Sequence, residues 1–419
     1  MTIGPSSRAF AQRLSLVESP GVTTLEEDWP IFWERASGWT VTDTDGRDYI
    51  DLTSAFGVAN IGHAHPDVVA AVQHQSATLM HGMGDVHPPA VKVRLLETLA
   101  GIAPKSLTLG VLGLNGGDAV EAALKCAAIV TGRPGVIAFG GGYHGLTGGA
   151  LSVTSRRDFR DPFSARVSAL TTFLQYPRTE AEMGYVLTDL DRRLSSKSSG
   201  LLPCGALIVE PIQGRGGVVV PPSGFLTLIR ELCDRHGMMM IVDEIFTGFC
   251  RTGHWFGVQF EDVIPDLLCV GKGMGGGMPL SACLGHSESL GAWPAATGEA
   301  LHTATFLGHP VSCAAAIATV AVLQKESLAQ RAKTIGEHIR RVLEDADIGE
   351  VRGRGAMQGL VIGDGERAIR AVKRALAHGV VLLPSGDHGE VISLTPPLTI
   401  SPEALEHALN TVVDCVRSV

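Results

Sequence analysis

Three apolar runs in this chain, ALIV at 206–209, MMMIV at 238–242 and LLCV at 267–270, show no polar alternation. A strand that reads this way is buried on both faces, the condition of a parallel sheet covered by helices. From Ser106 onward such runs alternate with helix-period segments, among them DAVEAALKCAAIV and GFLTLIRELCDRHG, and the order reads as consecutive βαβ units. The prediction is an α/β chain built on a large, doubly wound, mostly parallel sheet. Past the Ala-rich stretch 311–323, which reads as a buried helix, helices alternate with the short strands GVVLL and VISLT, so a smaller α+β unit is expected. Its last helix should open at Ser401-Pro402-Glu403, a capping hydroxyl followed by proline and an acid. Before residue 60, VTDTDGRDYIDL predicts a hairpin turning at Asp45-Gly46. The expected units are residues 1–60, an N-terminal segment packing with the small domain; 61–310, the large domain; and 311–419, the small C-terminal domain.

The chain has 419 residues, 45% hydrophobic and 18% charged, and so carries enough apolar surface to offset the entropy of ordering. Its 34 Lys and Arg against 43 Asp and Glu give a net charge of −9, which argues against nucleic acid or an acidic membrane as partner and favours a small molecule. No stretch reads as membrane-spanning and the first residues lack the apolar core of a secretory signal, so a cytoplasmic protein is expected. Eight cysteines form no C-x-x-C pair, and neither disulfides nor zinc is expected. His63 and His65 in GHAHP lack a third ligand at suitable spacing and are read as loop caps; the expected metal is none. Gly140-x-Gly142-x-x-Gly145 fits a dinucleotide fingerprint formally, but Gly148 and Gly149 follow where a helix should run. The Ser-rich stretch 195–200 reads as a surface loop.

In doubly wound sheets, functional side chains collect beyond the carboxyl ends of the strands. Here the residues just past the apolar runs are Glu210, Asp243 and Lys272. One ionisable residue in such a place is an ordinary loop charge, but three together are costly to desolvate and seldom kept without a use. Asn115-Gly116-Gly117-Asp118 opens a strong helix after an apolar strand, with free amides suited to an anion. Gly142-Tyr143-His144-Gly145 also comes after a strand, placing an aromatic where it can lie over a flat ring. Phosphate site, stacking aromatic, carboxylate and lysine together describe pyridoxal 5'-phosphate. Lys272 would form the Schiff base and Asp243 would hold the pyridine nitrogen protonated. The phosphate would sit on the amides of Gly116, Gly117 and Asp118. His144 is expected to stiffen the stacking ring and Glu210 to anchor the local hydrogen bonds.

The ordered segments DTDGRDYIDL, GHAHPDVVAAV, NGGDAVEAALK, GGYHG, VEPIQG, DEIFTGFCRTG, PDLLCVGKGMGGGMPL, TATFLGHP, RGRG and TPPLTI resemble, over nearly the whole chain, the class III (ω-amino acid type) aminotransferases of the fold-type I pyridoxal phosphate enzymes. The resemblance implies amino transfer from an amine or amino acid to a keto acid through Lys272, with Asp243 as the pyridine partner. It implies that Gly116, Gly117 and Asp118 form the phosphate turn and Tyr143 the stacking ring. It also implies a homodimer in which Thr305 reaches the neighbouring subunit's phosphate, and a substrate cleft lined near Phe56.

Relatives that bind amino-acid carboxylates commonly carry an acid after VEPIQG and an arginine before the PPL motif, forming an ion pair. Here those positions hold Arg215 and Ser393. Their joint replacement leaves no charge stranded, and Arg215 is expected to offer its guanidinium to a substrate anion. The alternative activity is a racemase or epimerase of the same family, some members of which also lack that arginine. A non-catalytic ligand-binding protein of this fold is disfavoured by the presence of Lys272, Asp243 and the phosphate turn together.

Overall fold

A computed structural model of the chain describes residues 3–419. Its centre is a seven-stranded sheet in the order Leu109–Gly113, Ser281–Gly285, Leu267–Val270, Met239–Asp243, Cys204–Val209, Gly135–Phe139 and Thr171–Leu174. Five consecutive strands of that order, from Leu267–Val270 to Thr171–Leu174, are parallel. Ser281–Gly285 runs antiparallel to both of its neighbours. Strands 204–209, 239–243 and 267–270 are buried at every residue, as unbroken apolar runs require. Two strands were not foreseen. Thr171–Leu174 is a half-buried edge strand with two threonines, and Ser281–Gly285 sits between a Gly/Pro-rich turn and a short polar loop.

One face of the sheet is covered by the helix Gly116–Thr131, whose Ala119, Val120, Ala122 and Ala123 are almost fully excluded from solvent. The other face carries the helices Glu180–Ser195 and Phe225–His236, part of a continuous core that extends into the C-terminal half. The Ala-rich helix Pro310–Lys325 packs on the helices Pro66–Thr78 and Ala90–Ile102. Among the described residues no single helix is long and apolar enough to cross a membrane.

Two four-stranded sheets complete the molecule. The N-terminal one contains the hairpin Thr40–Asp43 and Asp48–Asp51, turning at Asp45-Gly46, where Gly46 has φ 80°. Its last strand is Val380–Val381, supplied from the C-terminal half and parallel to Asp48–Asp51. The other sheet comprises Glu350–Arg354, Met357–Val361, Val391–Leu394 and Leu383–Ser385. The final helix, Pro402–Arg417, starts as expected, with Ser401 Oγ accepting from the Ala404 amide at 3.1 Å.

Arg251 ties these parts together and is 1% exposed, the largest fully buried side chain among the described residues. Its Nη1 donates to the carbonyls of Pro396 at 2.6 Å and Ala356 at 3.1 Å, and its Nη2 to Ser54 Oγ at 3.1 Å. Burial pushes its pKa down to about 9, against the opposing charge of Asp51. Ser54 opens a turn, Ser54–Gly57, in which four successive residues have positive φ, and its hydroxyl donates to Thr395 O at 2.6 Å. Removing the guanidinium strands two buried carbonyls. Arg251→Met should therefore lower unfolding free energy by about 3 kcal/mol, read from urea denaturation; a change within experimental error would show that these contacts carry no net stability.

Candidate active site

The strands Leu109–Gly113, Gly135–Phe139, Cys204–Val209, Met239–Asp243 and Leu267–Val270 end on the same edge of the sheet, and the residues at and just beyond these ends line one cavity of about 480 Å³. That volume suits a cofactor-sized ligand. Lys272, Asp243, Glu210, Tyr143, His144, Gly116, Gly117 and Arg215 all face it. Residues from five separate loops are thus brought together by strand direction alone.

At the first loop, Asn115 and Asp118 form a reciprocal capping box on the helix Gly116–Thr131. The Asp118 carboxylate accepts from the amides of Leu114 at 2.8 Å and Asn115 at 3.3 Å, while its own amide donates to Asn115 Oδ1 at 3.2 Å. The Asp118 amide is thus engaged in the cap, and Asp118 does not line the cavity. Gly116 and Gly117 supply the first amides of the helix, which have no carbonyl partner by helix geometry. A Cβ on Gly117 would come within 2.7 Å of Thr147 Oγ1, and one on Gly116 within 2.8 Å of Ile245 Cδ1. Thr147 Oγ1 is itself buried without a hydrogen-bond partner.

Asp243 closes its strand at 4% exposure. One oxygen accepts from the Ile245 amide at 3.0 Å, and the other lies 2.8 Å from His144 Nδ1. Burial alone would lower the His144 pKa, but the hydrogen bond and charge of Asp243 outweigh it and raise it. The His144 imidazole, expected to stiffen the Tyr143 ring, is engaged with Asp243. The Tyr143 ring instead meets Phe159 edge-on at 5.7 Å between centroids.

Glu210 accepts from the amides of Tyr143 and Gly214, each at 3.0 Å, and so joins two loops of the cavity wall. Burial pushes its pKa up to about 7, with His144 opposing and Asp243 adding to the rise. Lys272 comes after Leu267–Val270 in a left-handed conformation, φ 41°, with Nζ 4.0 Å from the Phe246 ring centroid. Burial lowers its pKa to about 8, partly offset by the carboxylates of Asp243 and Glu210.

Two expected residues stand apart. Phe56, in the left-handed turn, is 61% exposed and is not part of the cavity wall. Thr305 is exposed and likewise outside the wall. Conversely, Thr147, Ile245 and Phe246 line the cavity and were not foreseen. Ile245 and Phe246 stand just after Asp243, a position that could have flagged them, whereas Thr147 carried no sequence signal beyond its place after GGYHG.

The residues present fit pyridoxal phosphate. Free helix-start amides and an orphaned hydroxyl suit a phosphate, a buried carboxylate faces the space a ring would fill, and a lysine with lowered pKa stands in the same space. The lysine reading is testable by itself. Labelling of Lys272 in the apoprotein with a small amine-reactive reagent, followed by mass spectrometry, should rise with pH to a midpoint of about 8 rather than the ordinary 10.5. A midpoint at the ordinary value would contradict a desolvated amine.

A family model described as aminotransferase class-III matches residues 23–416. An acetylornithine aminotransferase of Methanopyrus kandleri is 39% identical over 394 residues, covering 93% of this chain and 95% of the relative. A 4-aminobutyrate aminotransferase of Mycobacterium leprae is 37% identical over 433 residues, covering 97% and 95%. Among solved structures, an amine transaminase from an uncultivated Pseudomonas species, in its PLP-bound form, matches with TM-score 0.87 at 29% identity, covering 96% of this chain and 98% of that one. The ornithine aminotransferase of Toxoplasma gondii matches with TM-score 0.86 at 27% identity, covering 98% and 95%.

Proposed function

This chain belongs to the class III aminotransferases, and we propose that the cavity at the strand ends is where it moves an amino group from an amine or amino acid to a keto acid. The enzyme is a pyridoxal-phosphate-dependent aminotransferase, and its named relatives favour amino transfer over racemisation. The observation that carries the site assignment is the convergence of Lys272, the Asp243–His144 pair and the Gly116–Gly117–Thr147 cradle on one cavity.

When bound, the cofactor supplies an aldehyde carbon that carries the amino group and a cationic ring that withdraws electrons. Lys272 Nζ would hold that carbon covalently. The same nitrogen, when free, would carry the substrate Cα proton across to the carbon that bore the aldehyde, the shift that separates amino transfer from racemisation. A single group acting as base and then acid needs a pKa near working pH, and the value of about 8 provides it. Asp243 would pair with the ring nitrogen, and His144, donating from Nδ1, would keep that carboxylate oriented. Tyr143 and Ile245 would flank the ring. Gly116, Gly117 and Thr147 would bind the phosphate. Glu210 would hold the Tyr143 and Gly214 backbones in place rather than touch substrate.

The homodimer reading is supported by apolar surface. Met80, Met83, Val86, Leu301 and Phe306 are all exposed, and the His81 ring lies 5.2 Å from that of Phe306, bringing the two segments side by side. Thr305 lies on this surface and would reach the partner's phosphate. Eight buried, unpaired thiols fit a reducing compartment, and we assign the enzyme to the cytoplasm.

Three outcomes are expected. One amino donor, with no keto acid present, should convert the cofactor absorption in a single half-turnover and release a carbonyl product; racemisation with solvent deuterium and no such conversion would favour the epimerase. Lys272→Ala should lose about 10²–10⁴-fold or more in kcat/KM and show no borohydride-trapped adduct at position 272. Phe306→Asp should shift the protein from dimer to monomer in sedimentation, with weakened cofactor retention; a wild-type monomer would refute the shared site.

A further inference from the structure

We propose that Arg215, with Arg156 behind it, forms an anion subsite that selects substrates carrying a carboxylate. The inference rests on the aminotransferase reading of the cavity and names the substrate class that the cavity takes.

Arg215 lines the same cavity as Lys272. Its guanidinium carbon lies 5.1 Å from the Tyr143 ring centroid and 5.4 Å from that of Phe159. The Arg156 guanidinium sits 5.7 Å from the Phe159 centroid, so two arginines share one aromatic plate. Stacking fixes the plane of a guanidinium while leaving its N–H edges free for a carboxylate fork. Arg156 donates to the Asp387 carbonyl at 3.3 Å and meets Asp158 only at 3.9 Å, across a carboxylate that is 83% exposed. Such a solvated contact neutralises little. Among the described residues Arg215 forms no ion pair with a carboxylate, while the like charge of Arg156 acts on it and its own charge acts on Lys272. An exposed guanidinium at the wall of the cavity that holds Lys272, with a second guanidinium on the same aromatic plate, is an arrangement that an anion relieves.

The backbone beneath Arg215 is pinned. Its carbonyl accepts from the Gly386 amide at 2.9 Å, the Gly214 amide is held by Glu210 at 3.0 Å, and the Gly217 carbonyl accepts from Arg352 Nη2 at 2.7 Å. The guanidinium is thus presented on a fixed loop, and little ordering remains to be paid on binding. On the strand Val391–Leu394, Ser393 Oγ lies 2.6 Å from Ser385 Oγ. That neutral pair offers neither a competing cation nor an acid that would quench Arg215. A diamine would place its second ammonium against Arg215, whereas an amino acid of matching length would place its carboxylate there.

The test compares wild type, Arg215→Ala, Arg215→Lys and Arg215→Glu, each loaded with cofactor, on ω-amino acids, diamines and alkylamines of equal chain length. The kcat/KM ratio of amino acid to alkylamine should fall about 10- to 100-fold in Arg215→Ala, mostly through KM, and recover in part in Arg215→Lys. Arg215→Glu should move the preference toward diamines. A ratio within twofold of wild type in Arg215→Ala, with cofactor absorption intact, would overturn the subsite. A second measurement is independent of turnover: butyrate binding by calorimetry should weaken by a similar factor in Arg215→Ala. Unchanged butyrate affinity overturns the Arg215 assignment. Failure of the wild type to take up pyridoxal phosphate, with butyrate binding still dependent on Arg215, would instead overturn the cofactor reading and leave the anion subsite standing.

Discussion

Parallel pairing of the strands Cys204–Val209, Met239–Asp243 and Leu267–Val270 is the constraint on which the site depends. Parallel strands end on one edge, so Glu210, Asp243 and Lys272, which are far apart in the chain, must meet there. Buried on both faces, these strands leave their ends as the place where polar groups can gather without breaking the apolar core. The cavity is therefore a consequence of topology before it is a consequence of any particular side chain.

Gathering charges at a sheet edge has an energetic cost, and the structure shows how each is met. Glu210 is held by two backbone amides and still has its pKa raised to about 7, so burial dominates over its hydrogen bonds. Asp243 shares its oxygens between the Ile245 amide and His144. Lys272 has no hydrogen-bond partner among the described residues and responds by a lowered pKa, which the charges of Asp243 and Glu210 only partly offset. Arg251 belongs to a different class: among the described residues it faces no carboxylate at bonding distance but is satisfied by carbonyls and a hydroxyl, joining the loop after Asp243 to the left-handed turn and the C-terminal sheet. Structural and chemical charges are thus separated by what they contact. Arg215 falls in the second group, since aromatic plates orient it while its charge is left open.

Much of this is legible in the sequence. The βαβ order, the hairpin at Asp45-Gly46, the capped last helix and the meeting of Glu210, Asp243 and Lys272 all come from local patterns whose physics is short-ranged. The edge strand Thr171–Leu174 escaped because its half-buried residues break the apolar signal, and Ser281–Gly285 because glycine and proline precede it. NGGD reads equally well as an anion turn or as a capping box, and only the hydrogen bonds show that the Asp118 carboxylate turns back onto its own helix start. His144 stands next to Tyr143 in sequence, which suggested a shared task, yet its partner is Asp243, ninety-nine positions away in the chain.

From the order of residues alone came the class of fold, the family and a candidate for the reactive lysine, because apolar periodicity and the residue after each strand are local properties. Tertiary structure decided which groups touch. It paired His144 with Asp243, left the Thr147 hydroxyl without a partner close to Gly117, set Phe56 in a left-handed turn outside the cavity and laid Arg215 against two aromatic rings. These contacts join loops that the sheet brings together across long stretches of sequence, and short-range patterns hold no information about which side chains will face one another at such a meeting.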